Sequence, residues 1–120
     1  MGRVMELQPW LTIAAETASI SKTQDKDDWI ETSNHEACTL CIEALQVVGG
    51  SLFLEGSDSQ GGLFEVLTTI AAPARTTYVV LRRSDDTTSA TRLPKYLRWT
   101  ATDGGAGTLE VCFRITCSFK

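Results

Sequence analysis

The sequence predicts an all-β fold: an antiparallel β-sandwich, of jelly-roll type, with an N-terminal arm. Three observations predict it. Thr and Ser are abundant, and many of the threonines adjoin Val, Ile, Leu or an aromatic, a β-branched bias that suits a pleated surface better than a helix. Turn-forming groups (Gly49-Gly50, Gly61-Gly62, Ala72-Pro73, Ser84-Asp85-Asp86, Asp103-Gly104-Gly105) recur at intervals of roughly 11 to 19 residues, the rhythm of short strands and their connections. No other stretch is long enough to supply the helices that cover a parallel sheet. With 120 residues, 42% of them hydrophobic and 22% charged, the chain matches one globular domain with its own core.

Taken in order, residues 1–16 read as an N-terminal arm or first edge strand, and residues 17–120 as the sandwich. Pro9 keeps the segment Leu7 to Ala14 out of the middle of a sheet, because proline has no N–H for the ladder. Thr17 to Thr23 alternates as a short strand, and Gln24-Asp25-Lys26-Asp27-Asp28 is a charged turn before a strand that starts at Trp29. Ala37 to Val48 admits a helix (Leu40, Ala44, Leu45, Val48) or a strand with Cys38, Leu40, Ile42 and Ala44 on one face. Thr39, Ile42, Val47 and Val48 favour the strand. Ser51 to Glu55, Leu63 to Ile70, Thr76 to Arg83 and Lys95 to Thr100 follow. Thr108 to Phe119 is the cleanest alternation, with Leu109, Val111, Phe113 and Ile115 inward and Glu110, Cys112, Arg114 and Thr116 outward.

The formal charge of -4 argues against phosphate-backbone binding, which needs a dense basic surface. No apolar run spans a membrane, and Met1 to Leu7 lacks the apolar core of a cleaved signal. Arg82, Arg83, Arg92, Lys95 and Arg98 lie near Tyr96 and Trp99 in sequence, a grouping read as sheet-surface ion pairing. We therefore expect no nucleic acid and no membrane among the partners.

Reactive chemistry is sparse. Cys38 and Cys41 have the spacing of half a zinc site, with Cys112 and Cys117 as the other half. Within a flat strand, positions three or five apart face opposite sides, so free thiols packed as small hydrophobes are favoured over zinc or cross-strand disulfides. His35 stands alone in a polar segment and reads as an exposed loop residue. Asp25, Asp27, Asp28, Asp58, Asp85 and Asp86 sit in turns, where carboxylates cap backbone N–H groups. The Gly104–Gly107 stretch lacks the Lys-Ser/Thr of a phosphate loop and reads as a hairpin between paired strands. No catalytic residue, metal ligand or cofactor is expected, and the chain reads as a non-enzyme.

One ordered set of motifs goes further. Leu52-Phe53-Leu54-Glu55-Gly56-Ser57-Asp58 is followed by Phe64-Glu65-Val66-Leu67, then Leu93-Pro94-Lys95-Tyr96-Leu97-Arg98-Trp99, then a Gly-rich stretch into Thr108-Leu109-Glu110-Val111-Cys112-Phe113. This order, over residues 50 to 117, resembles a β-sandwich module of tailed-bacteriophage virion proteins. It departs in having Asp58-Ser59-Gln60-Gly61-Gly62 for a direct Asp-Gly, and Phe64 where Trp is frequent. The same pattern is similar to discoidin and galactose-binding-like modules, whose ligand residues do not map onto this chain. The resemblance implies a structural subunit of a phage or phage-like particle, a capsid decoration (cement) protein or a neck or tail component. It would reside in the virion as a homo-oligomer contacting the major capsid or other virion proteins. Ser57 and Asp58 would form a structural turn, with Tyr96 and Trp99 filling the space between sheets. Leu7, Pro9, Trp10 and Leu11 are the expected subunit contact, because Trp is enriched among interface anchors. The alternative is a carbohydrate-binding module, with Trp29 and Trp99 as candidate aromatics.

Overall fold

The computed structural model describes residues 3–15, 21–71, 76–83, 92–103 and 109–120. Among these residues nine strands form: β1 (Arg3–Ala15), β2 (Ser21–Thr23), β3 (Ile30–Glu31), β4 (Ala37–Val48), β5 (Ser51–Ser57), β6 (Glu65–Ala71), β7 (Thr76–Arg82), β8 (Tyr96–Thr102) and β9 (Leu109–Phe119). They build two antiparallel sheets, a first of order β1-β9-β4-β7 and a second of order β2-β8-β5-β6 with β3 also on β8. β2 and β3 lie against the same edge of β8, so together they act as one edge strand interrupted by the 3-10 turn Lys26–Asp28. Only β5 and β6, joined in sequence, also pair with each other; apart from the β2–β3 link along one edge of β8, the other links pass from sheet to sheet. That strand order is a jelly roll.

Alternation explains why these segments are strands. β9 buries Leu109, Val111, Phe113, Ile115, Cys117 and Phe119 while Cys112, Arg114 and Thr116 face outward. β4 is a strand over its whole predicted length, with Cys38, Leu40, Ile42 and Ala44 buried. These side chains meet Leu52 and Leu54 of β5 and Leu97, Trp99 and Ala101 of β8 in one core between the sheets. The chain crosses from β4 to β5 on two glycines. Gly49 has φ 80°, a left-handed conformation that glycine adopts without strain. A Cβ on Gly50 would stand 2.0 Å from the Thr102 carbonyl oxygen.

Of the two readings of residues 1–16, arm or first edge strand, the structure shows the edge strand: Arg3–Ala15 pairs with β9 at the edge of the first sheet. Register shifts at Glu6/Gln8 and Gln8/Leu11 bracket Pro9, the bulge that lets an edge strand carry a proline. The Gly104–Gly107 stretch lies outside the described residues, and the strands before and after it, β8 and β9, belong to different sheets and do not pair. Of the strand predicted from Thr17 to Thr23, the described residues Ser21–Thr23 form β2. Asp85 and Asp86 lie outside the described residues.

Candidate functional site

The predicted subunit contact divides between core and solvent along β1. Leu7 is 2% exposed and belongs to the core, and Leu11 packs against that core. Trp10 and Pro9 face solvent, with Trp10 44% exposed. The guanidinium of Arg114 on β9 lies 4.9 Å from the Trp10 ring and pairs with Glu43 of β4 at 2.6 Å. The outer face of the first sheet thus has a central row of Trp10, Arg114 and Glu43. Around it stand exposed apolar side chains: Val4 beyond β9, Leu45 and Val48 toward the end of β4, and Tyr78 and Val80 on the far edge.

The outer face of the second sheet is organised by Arg98 of β8. Its Nε donates to Glu55 Oε1 of β5 at 2.8 Å, and its guanidinium lies 3.7 Å from the Phe64 ring and 5.2 Å from the Trp29 ring. Trp29 and Phe64 meet edge to face at 4.8 Å, a geometry that ring quadrupoles favour. The Thr100 hydroxyl donates to the same Glu55 oxygen at 2.8 Å, and Thr23 Oγ1 lies 3.1 Å from Thr100 Oγ1. The basic grouping read from the sequence therefore resolves in part into ion pairing, Arg98 with Glu55 and Arg92 with Asp58 at 2.8 Å each. Trp29 and Phe64 come from connections, remote in sequence from Arg98, and no local pattern signalled the cluster.

The turn residues do as expected in part. Ser57 closes its own turn, its hydroxyl donating to the Ser59 carbonyl at 2.8 Å and accepting from the Ser59 N–H at 3.1 Å. Asp58 instead reaches outward to Arg92 and to the Lys95 N–H at 3.2 Å. Partial burial pushes its carboxyl up, but the Arg92 and Lys95 hydrogen bonds, with the charges of Arg92 and Arg83, outweigh this and hold it below 3.8. Tyr96 and Trp99 are not both core residues. Positions three apart on a strand face opposite ways: Trp99 is 2% exposed between the sheets, and Tyr96 is half-buried on the Arg98 side. Trp99 Nε1 donates to Gln8 Oε1 at 2.9 Å, and its ring meets Phe113 edge-on at 5.1 Å. It cannot be the exposed platform that a sugar would stack on.

Two polar devices escaped the sequence reading. Gln24 is buried; its Nε2 donates to the Leu7 carbonyl at 2.6 Å and the Asp28 carbonyl at 3.2 Å, tying the first charged turn to β1. Arg83 holds the carbonyls of Thr32, His35 and Leu93, and the Thr32 hydroxyl donates to the Pro94 carbonyl. His35 is half-buried, not exposed, with its ring stacked on Phe119 at 4.4 Å. Asp25 caps the 3-10 turn by accepting from the Asp27 N–H at 3.0 Å.

All four cysteines are free. Cys38 and Cys117 are buried on neighbouring strands, while Cys41 and Cys112 face outward and are half-buried. The hydrogen-bonded contact with the Cys38 thiol, then burial, push the Cys117 thiol far above the ordinary cysteine range. Among the described residues no group of three or more His, Cys, Asp and Glu side chains is placed to hold a metal ion. A surface pocket of about 360 Å³ lies by the β5–β6 turn, lined by Gly56, Ser57, Asp58, Glu65, Arg92 and Pro94 among others. Asp58 and Arg92, its charged pair, already bind each other.

No protein-family model matches the chain, and no curated protein matches it. Among solved structures, a crystal structure of PirA is similar at 15% identity and a TM-score of 0.47, covering 92% of this chain and 93% of that one. Among the described residues no helix is long and apolar enough to cross a membrane.

Proposed function

We propose that this chain is a non-enzymatic structural subunit of a phage or phage-like particle, a decoration, neck or tail component that works through protein–protein contacts. The observation that carries the proposal is the outer face of the first sheet. Val4, Trp10, Leu45, Val48, Tyr78 and Val80 are all exposed on its strands, around the central Trp10–Arg114–Glu43 row, and a face that gathers exposed apolar side chains favours a protein contact. The motif order over residues 50 to 117 supports the particle context. β1 belongs to the sheet, so removing residues 1–16 would strip Leu7 and Ile13 from the core and report on folding instead of contact. The test is Trp10→Ala with Tyr78→Ala, followed by mass spectrometry of particles purified from cells that carry the variant. The double variant is expected to keep the wild-type circular-dichroism spectrum and to be lost from particles. Absence of the wild-type chain from every particle would overturn the proposal.

A further inference from the structure

The two edges of the first sheet match each other. β1 and β7 are its end strands, and each pairing between them (β1–β9, β9–β4, β4–β7) is antiparallel. β7 therefore runs opposite to β1. A second copy placed beside the first with its sheet facing the same way would bring β1 against β7 in the antiparallel sense, continuing the alternation without a break.

The rows also match. Val4, Ser118, Thr39 and Val80 form one row across the sheet; Met5, Cys117, Leu40 and Val79 form the next; Glu6, Thr116, Cys41 and Tyr78 form the third. Val4 is 67% exposed, Val80 46% and Tyr78 70%, while Met5 and Val79 are partly buried at the two rims of the core. Closing the edges in the same rows sets Val80 against Val4 of the next copy and Val79 against its Met5. It also sets the Tyr78 hydroxyl beside the Glu6 carboxylate, an acceptor for that donor. Opposed apolar pairs of this kind stabilise antiparallel strands. Pro9 and its bulge confine the pairing to the stretch of β1 before Leu7, and the Arg82–Arg92 bridge bounds it at the other end of β7.

We propose that β7 of one copy pairs with β1 of the next, head to tail, so that the first sheet runs across the subunit boundary. This rests on the reading of the chain as an assembly subunit and names its partner as a second copy. Such a contact is heterologous and repeats into a ring or an open row, using strand addition at an exposed edge.

Sedimentation velocity and native mass spectrometry from micromolar to near-millimolar protein test it. The wild type is expected to form concentration-dependent oligomers. Val80→Lys spoils the β7 edge and Val4→Lys the β1 edge, so each variant alone is expected to be monomeric. Mixed, they should form a one-to-one dimer that grows no further, because each supplies the edge the other lacks. Tyr78→Lys replaces Val80→Lys if that variant fails to give the wild-type circular-dichroism spectrum. A wild type that stays monomeric throughout, a single variant that still self-associates, or a mixture that stays monomeric would each overturn the pairing. Particle incorporation, measured separately, would survive the first of these outcomes if only the edge pairing is wrong.

Discussion

The two sheets treat their outward faces differently. On the second, the outward charges and rings are used internally: Arg98 is shared by Glu55, Phe64 and Trp29, and Thr100 adds a second donor to Glu55. On the first, one comparable group of Trp10, Arg114 and Glu43 occupies the centre, and the apolar side chains around it stay exposed. The second face gathers its rings and charges into one cluster, with Val66 of β6 left exposed, whereas the first keeps six large apolar side chains exposed. The difference is what the proposed contact rests on: the first face holds exposed side chains that the fold itself does not consume.

The largest effect should come from the residue that belongs to both sheets. Trp99 is rooted in the second sheet, packs on Phe113 of the first and donates to Gln8 of β1. Truncating a buried aromatic to alanine costs about 3–5 kcal/mol, and here it also orphans the Gln8 acceptor. Trp99→Ala is expected to lower the unfolding free energy from urea denaturation by that amount, with circular dichroism and tryptophan fluorescence reporting one coincident transition. A loss below about 1 kcal/mol would mean that the sheets are held together elsewhere. The same substitution offered as a probe of sugar stacking would report only this loss of core.

The second prediction compares the two faces directly. Double-mutant cycles on Arg98 with Glu55 and on Arg114 with Glu43 measure matched arginine–glutamate pairs. The first pair has side chains 21% and 13% exposed, the second 35% and 30%. Screening by water weakens exposed pairs to about 0.2–1 kcal/mol, whereas hydrogen bonds to charged groups in drier surroundings are worth about 1.5–3 kcal/mol. The coupling between Arg98 and Glu55 should therefore be the larger. Equal couplings would remove this distinction between the two faces.

The same contrast marks what the sequence could reveal. β9 was legible because inward and outward residues alternate strictly along it, whereas β4, whose alternation breaks at Leu45 and Gln46, also admitted a helix and was decided by its β-branched residues. The period of two also held the signal that separates Leu7 and Leu11 from Trp10, and Trp99 from Tyr96; reading those residues as single clusters discarded it. Other features were out of reach in principle. The Trp29–Arg98–Phe64 cluster and the carbonyl-binding role of Arg83 join segments far apart in sequence, and which connections meet is decided by the order of strands in the sheets. An edge position for β1 was within reach, since Pro9 excludes only the middle of a sheet, but the choice between arm and edge strand and the bulge that carries Pro9 were not.

The smallest expected effect concerns pH at the β5–β6 turn, beside the second sheet. The Asp58 carboxyl is held below 3.8 in the folded protein by Arg92 and the Lys95 N–H despite the opposing effect of burial. A carboxyl with a lowered folded pKa stabilises the fold above its unfolded pKa and loses that contribution as pH falls through the folded one. The contribution is therefore full at neutral pH and begins to fade below about pH 4, where the unfolded chain first takes up the proton. Because Arg92 and Asp58 have side chains 37% and 49% exposed, the pair is a surface one, worth no more than about 1 kcal/mol. Asp58→Asn should thus cost little at pH 7, and the gap between variant and wild type should narrow toward pH 3. Salt should shrink that gap as well, since exposed charges are screened within a Debye length. A gap that widened on acidification would mean that the carboxyl is stabilised in its protonated form, and that this turn is closed by burial instead of by its ion pair.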